Sequence, residues 1–219
     1  MDPLRREVKP GSLDRNGAGG VTVAVKDRWC SSGSTKRIPS NGKFLQSHCV
    51  CVALHPPHSD PPLICGTYMP FDRAQRNNIY AHFQKVMQTY QHTVLAGDWN
   101  AALYTSDRSL QEDAELLDNP SRMALDNTHG GFVRDTSLHP IDPVNECLGE
   151  CRARTFRSNR ADADGSRIDD VLTSTALRDS ANYLQFPDCN GDSDHNPIVA
   201  AITTKSHSHP PTPCIARPA

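Results

Sequence analysis

The side chains best suited to chemistry stand at the ends of apolar runs. Gly97-Asp98-Trp99-Asn100 closes the run Thr93-Val-Leu-Ala-Gly97. In an extended chain residues i and i+2 share a face, so Asp98 and Asn100 would project together from the C-terminal end of a strand. An Asp there can take a proton from water. The neighbouring Asn can donate a hydrogen bond to water or to a phosphate oxygen, which suits hydrolysis of a phosphoester. Gly, Asp and Asn are also turn formers, so a plain turn is the competing reading. Gly191-Asp192-Ser193-Asp194-His195-Asn196-Pro197 stands before another apolar run and offers a hard metal ligand, Asp194, beside an imidazole, His195. Ser193, Asp194 and His195 do not make a protease triad, because successive residues cannot line up nucleophile, base and orienter. Ser166-Arg167-Ile168-Asp169 opens a third run. Ile168 would face the core, with Arg167 and Asp169 on the other face. Asp169 could then orient His195 by accepting its ring N–H, or form a local salt bridge with Arg167. Gly66-Thr67-Tyr68-Met69-Pro70 ends a fourth run. Tyr68 either presents its hydroxyl to a cleft or is a half-buried structural tyrosine.

These groups need strands to carry them. Residues 48–54 and 63–68 read as buried strands, and the Pro-rich connection 55–62 makes them an antiparallel pair. Val21 to Val25 is a shorter β-rich run, and 26–46 reads as a loop with Lys26, Arg28, Lys36, Arg37 and Lys43. Its cations are either solvated or set to touch phosphate. A helix is expected over 73–90, because Ile79, Phe83, Val86 and Tyr90 fall at helical spacing. Helix pieces broken at Asn119-Pro120 are expected over 108–128, with Leu110, Leu116, Leu117 and Leu125 in the core. A short stretch, Phe132 to Asp135, and an irregular segment to about 152 follow. Residues 167–173, 180–187 and 197–203 complete the strands. Hairpin-like strand pairs with a few helices imply a layered α/β sandwich rather than a doubly wound parallel sheet. Residues 1–18 are polar and aperiodic and should be disordered, the domain should span 19–203, and the Pro/His/Ser tail 204–219 should be disordered as well.

The chain has 219 residues, 37% of them apolar, with a formal net charge of -2. That length suits one substantial domain. The balanced charge gives no global basic field of the kind that marks many nucleic-acid binders. There is no signal-peptide pattern and no run of about 18 apolar residues, so an intracellular protein, nuclear or cytoplasmic, is expected, with no membrane partner. Of the eight cysteines, Cys49, Cys51 and Cys65 lie in strand-like runs and should behave as small buried hydrophobes. Cys147, Cys151 and Cys189 would have to converge for a zinc site.

Each motif is ambiguous singly, but their order is specific. Gly-Gly-Val from residue 19, Tyr68-x-Pro70, Gly97-Asp98-x-Asn100, Ser166-Arg167-Ile168-Asp169 and Ser193-Asp194-His195-x-Pro197 together resemble the endonuclease/exonuclease/phosphatase family over about residues 19–203. Within it the chain is most similar to the apurinic/apyrimidinic-type endonuclease domains of non-LTR retrotransposons. Asp107-Arg108, Gly131-Phe-Val-Arg-Asp135 leading to Leu138-His139-Pro140, and Arg154-Thr155-Phe156 carry that closer likeness. The resemblance implies two largely antiparallel mixed sheets flanked by helices and a metal-dependent phosphodiesterase acting on DNA. It implies Mg2+, or Mn2+ in its place, as cofactor. Asp98 would activate water, Asn100 would contact water and phosphate, and His195, oriented by Asp169, would stabilise phosphate charge. Tyr68 would lie near the scissile phosphate, and Asp194 would bind the metal. It also implies a longer polyprotein with a reverse transcriptase.

The pattern departs from the family at its start. The family opens with a strand, a helix and a strand ending in a metal-binding Glu, and the residues ahead of Gly19 are too few for that unit. Arg6-Glu7-Val8-Lys9 is a faint counterpart, which makes Glu7 the candidate ligand. Phe71 stands where many relatives have Asn. A chain lacking that unit is expected to be weak or inactive, and a non-catalytic, nucleic-acid-binding remnant of the same fold is the alternative.

Overall fold

The computed structural model describes residues 21–25, 35–55, 60–104, 120–141, 155–156, 165–185 and 194–202. The expectations for residues 1–18 and 204–219, for Glu7, Lys26 and Arg28, for Leu110, Leu116 and Leu117, and for Cys147, Cys151 and Cys189 lie outside them. So does Asp107-Arg108.

In chain order the elements are β1 (Thr35–Ile38), α1 (Lys43–His48), β2 (Cys49–Leu54), β3 (Leu63–Tyr68), α2 (Arg73–Met87), β4 (Thr93–Asp98), α3 (Pro120–Asp135), β5 (Leu138–Pro140), β6 (Asp169–Ser174), a 3-10 turn (Thr175–Ser180), β7 (Ala181–Gln185) and β8 (Ile198–Ile202). One sheet has the order β1-β2-β3-β4-β6-β5, and β7 and β8 form a second. Among the described strands only β3 and β4 pair in parallel. The expected sandwich of mixed, largely antiparallel sheets with flanking helices is what forms.

Two apolar layers sit on the faces of the larger sheet. On one face Cys51, Cys65, Leu95 and Leu172 pack with Ile79 and Phe83 of α2 and Phe132 of α3. On the other, Val94 and Val171 pack with Ile198, Ala200 and Ile202 of β8. Alternation along β4 therefore sends Leu95 toward the helices and Val94, Ala96 and Asp98 toward the second sheet. Each large aliphatic side chain so buried contributes about 1.5–3 kcal/mol.

Helix α2 begins where Asp72 accepts the Gln75 N–H at 2.8 Å, an N-cap bond. It ends at Met87, so Tyr90 packs on the core from beyond the helix. Its buried face is Arg76, Ile79, Tyr80, Phe83 and Val86. The break at Asn119-Pro120 is a helix start, as fits Pro in a first turn. Helix α3 then runs through Gly130 and Gly131 to Asp135, which corrects the expectation of a separate stretch at 132–135. The two glycines are tolerated because Leu125, Phe132 and Val133 on the same helix are buried.

The expected loop 26–46 contains β1 and most of α1. Periodicity did not reveal β1 because it is an edge strand of four residues with two exposed cations, Lys36 and Arg37. Residues 21–25 carry no strand ladder but lie against β3. A Cβ on Gly66 would come within 2.9 Å of Val21, so the bare backbone at Gly66 makes room for that segment.

Cys49, Cys51 and Cys65 are fully buried free thiols, as expected. The Leu54 N–H donates to Pro62 O at 2.9 Å, which marks a hydrogen-bonded pair. Alternation then puts Cys51 and Cys65 at a non-hydrogen-bonded pair, where side chains approach most closely. Their sulfurs lie 2.6 Å apart. Burial pushes the Cys65 thiol well up, and raises Cys49 to about 11, which keeps both protonated.

Candidate active site

Three strand ends bring the site together. Tyr68 of β3 lies beside Asp98 of β4, and Asp98 lies beside Asp169 of β6. In-register neighbours share a face, and this is the face toward the second sheet. His195 enters from the segment before β8. Its Nδ1–H donates to Asp169 Oδ2 at 2.8 Å, and Nε2 faces Asp194 Oδ1 at 4.0 Å. The ring of Phe156 meets the imidazole edge-on at 5.2 Å. Phe156 also bridges to Ser166 and to His195 through the backbone, and the Asn196 N–H donates to Thr155 O at 2.7 Å. Thr155 is the hub on this side: its buried hydroxyl oxygen accepts the N–H of Ile168 at 3.1 Å and of Asp169 at 3.0 Å.

Gly97 precedes Asp98 with φ 151, and a Cβ there would collide with the Thr67 carbonyl. Only glycine lets β4 press this closely on β3 at the site. The strand ends at Asp98, and the chain then turns. Asn100 has φ 46, so the expected i, i+2 projection from an extended strand does not occur. The two residues are joined differently. The Asn100 backbone N–H donates to Asp98 Oδ1 at 2.8 Å, and its side-chain Nδ2 donates to Met69 O at 2.7 Å. Gly97-Asp98-Trp99-Asn100 is thus a turn, as the competing reading had it, and the turn bonds Asn100 to the Asp98 carboxylate.

Electrostatics follow from this crowding. Burial, then the neighbouring Asp169 charge, pushes the Asp98 carboxyl up to about 6, against the opposing pull of the Asn100 N–H, His195 and Arg76. The hydrogen bond to Asp169 raises His195 above its usual value, burial opposes it, and Asp98 and Asp194 add to the rise. An acid held near neutral beside an imidazole favouring its charged form is a pairing common at catalytic centres.

Donor atoms of Asp98, Asp169 and His195 all lie within 4.8 Å of one another. Asp194 is exposed and stands outside that trio, and Glu7 lies outside the described residues. Tyr68 is half-buried at the end of β3, its ring 6.4 Å from that of His48. Phe71 is 62% exposed.

The pairing of Arg167 with Asp169 is overturned. Arg167 is buried, and its guanidinium donates to Asp170 Oδ1 at 2.8 Å and to Ile141 O at 3.3 Å. Asp169, on the opposite face of β6 from Asp170, is left to His195. Sequence reading missed Asp170 and Arg76. Arg76 stands three and four residues before Ile79 and Tyr80, so extending the apolar period of α2 by one turn would have found it.

No family model matches the sequence, and no curated protein matches it. Solved structures do. The endonuclease domain of TRAS1, a telomere-specific non-LTR retrotransposon, superposes with a TM-score of 0.56 at 18% identity, covering 78% of this chain and 69% of that one. The 3'-5' exonuclease NExo from Neisseria meningitidis gives 0.56 at 16%, covering 77% and 70%. An AP endonuclease from Archaeoglobus fulgidus gives 0.52 at 16%, covering 73% and 66%. At such identities the likeness is one of fold. The fold is endonuclease/exonuclease/phosphatase-like, shared with these endonuclease and exonuclease structures. Among the described residues no helix is long and apolar enough to cross a membrane.

Proposed function

We propose that this chain is a metal-dependent phosphodiesterase that acts on DNA as an endonuclease and is of retrotransposon origin. The observation that carries the reading is the convergence of Asp98, Asp169 and His195, from three separate parts of the chain, within 4.8 Å. Asp98 takes a proton from the attacking water. Its high pKa suits it to that role, because a base poised near the working pH transfers protons best. His195, charged and oriented by Asp169, offers Nε2–H to the phosphate oxygens, where negative charge builds in the transition state. Asn100 holds the turn that carries Asp98, and Tyr68 flanks the site on β3.

The donor set suits a hard divalent ion. Asp98 and Asp169 repel one another, and a cation beside them would relieve that repulsion. Asp98, Asp169 and Asp194 offer carboxylate oxygens, whereas His195 Nδ1 is committed to Asp169. Mg2+ is the proposed ion, with Mn2+ as substitute, and Glu7 is the further proposed ligand. When bound, the ion supplies polarisation of the phosphate and stabilisation of the leaving oxygen. The names of the structural relatives support DNA as substrate. The retroelement likeness supports a place in a longer polyprotein with a reverse transcriptase.

Nicking of supercoiled plasmid with Mg2+, with and without chelator, tests the reading against Asp98→Ala and His195→Ala. Metal-dependent nicking lost in both variants supports an endonuclease. No nicking by the folded wild-type chain favours the remnant reading.

A further inference from the structure

Helix α2 buries one charged side chain with its apolar face. Arg76 has no exposed surface. Among the described residues no carboxylate lies within ion-pair distance of it. A buried guanidinium without a counter-ion is costly, so its hydrogen bonds show what it is retained for. One Nη donates to Pro70 O at 3.0 Å and the other to Trp99 O at 2.6 Å. Pro70 follows Tyr68 by two residues, and Trp99 follows Asp98 directly. The two arms of one fork therefore tie together the loops that leave β3 and β4 at the site.

The bond to Trp99 has a further consequence. Trp99 C=O and Asn100 N–H belong to one planar peptide unit. Its oxygen accepts from Arg76, and its N–H donates to Asp98 Oδ1 at 2.8 Å. The unit is gripped by a cation at one end and a carboxylate at the other, and hydrogen bonds in such a chain polarise and strengthen one another. The same grip holds Asn100 at φ 46, a backbone region that non-glycine residues seldom adopt.

We propose that Arg76 is a positioning residue: through the Trp99–Asn100 peptide it fixes the Asp98 carboxylate and the Asn100 turn in the orientation used for attack on a phosphodiester. The proposal rests on the nuclease reading above. Lys cannot replace the fork, because one ammonium offers a point charge where Arg spans two carbonyls.

The test uses the full chain as wild type, Arg76→Lys and Arg76→Met. Plasmid nicking with Mg2+ is measured for kcat and KM, and the Asn100 backbone amide is followed by NMR without metal. Arg76→Met should lower kcat by about 10²-fold while KM stays within about threefold, since a misplaced group costs the chemical step and not substrate binding. Arg76→Lys should recover part of the loss. In both variants the Asn100 amide should move upfield and exchange faster. A folded Arg76→Met with wild-type kcat, a loss confined to KM, or an unmoved Asn100 amide overturns the proposal. Should Arg76→Met not fold, Arg76→Lys and the exchange of the wild-type Asn100 amide decide, and exchange as fast as in an open loop overturns it. A wild-type chain that does not nick refutes the nuclease reading, and with it the catalytic half of this proposal. The amide shift in Arg76→Lys then still separates a gripped peptide from a free one.

Discussion

Replacing Asp98 by Asn should stabilise the protein at neutral pH while abolishing its activity. Burial and the Asp169 charge push the Asp98 carboxyl from 3.8 to about 6 in the folded chain. The native state therefore holds this proton more tightly than the unfolded state does. As pH rises from about 4 to about 6 the unfolded chain gives it up first, so stability falls across that window and stays lower above it. Two units at about 1.4 kcal/mol each set a ceiling of about 3 kcal/mol. Asp98 keeps part of its surface in water, which screens the interaction, and about 1–2 kcal/mol is the expected effect. Asn is nearly isosteric, and its Oδ1 can still accept the Asn100 N–H. His195 shifts stability with pH in the same direction, although there it is the charged form that the folded state favours. Its folded pKa is raised, so it stabilises below its unfolded value and the gain is lost as pH rises through the folded one. That contribution is common to both proteins and largely cancels in the comparison. Urea denaturation in chelator at pH 4 and pH 7.5 provides the assay. The two proteins should match at pH 4, and the Asn variant should gain about 1–2 kcal/mol at pH 7.5. Added Mg2+ should narrow the gap by binding the wild-type carboxylates. A gap equal at both pH values, or a variant less stable at pH 7.5, would refute the account of Asp98 as a strained carboxylate.

Other substitutions probe the scaffold of the site. Gly97→Ala should destabilise by about 3 kcal/mol or more, because its Cβ meets the Thr67 carbonyl at a φ that disfavours side chains; thermal denaturation measures it. Arg167→Met should cost about 3–5 kcal/mol by stranding the buried Asp170 carboxylate, and Asp170→Leu in the same chain should recover most of that in urea titrations. Asp169→Asn should lower the His195 pKa, followed by NMR titration of the ring, and reduce kcat by about 10²-fold. An unchanged His195 titration would mean that the Asp169 contact does not hold in solution.

Much of the architecture was legible because local pattern and tertiary environment agree. The strands 48–54, 63–68 and 93–97 are apolar runs with one face buried and the other at least half-buried along most of their length, and their composition announces them without reference to partners. The helix at 73–90 shows in its period, and the motif residues stand at strand ends, where the chain must turn and side chains meet solvent. Burial in the structure bears out Leu125, Ile79, Phe83 and Val86 as core. Where the expectations failed, the deciding contact was distant in sequence. Edge strand β1 carries two exposed cations and gains its ladder from β2. The last turns of α3 hold two glycines, and their helical state comes from Phe132 and Val133 packing on α2 and the sheet.

Residue types at strand ends thus set the chemistry on offer: an acid with an amide, an acid with an imidazole, a tyrosine before a proline. Spacing along the chain named Asp169 for His195 but left open a salt bridge between Asp169 and Arg167, because it could not show Asp170 on the opposite face of β6 as the partner of Arg167. Strand register decided it, sending Asp170 to buried Arg167 and Asp169 to His195. The path from Arg76 through one peptide to Asp98 likewise exists only once α2 packs across the ends of β3 and β4. Hydrogen bonds between segments depend on three-dimensional closure, and no local pattern encodes them.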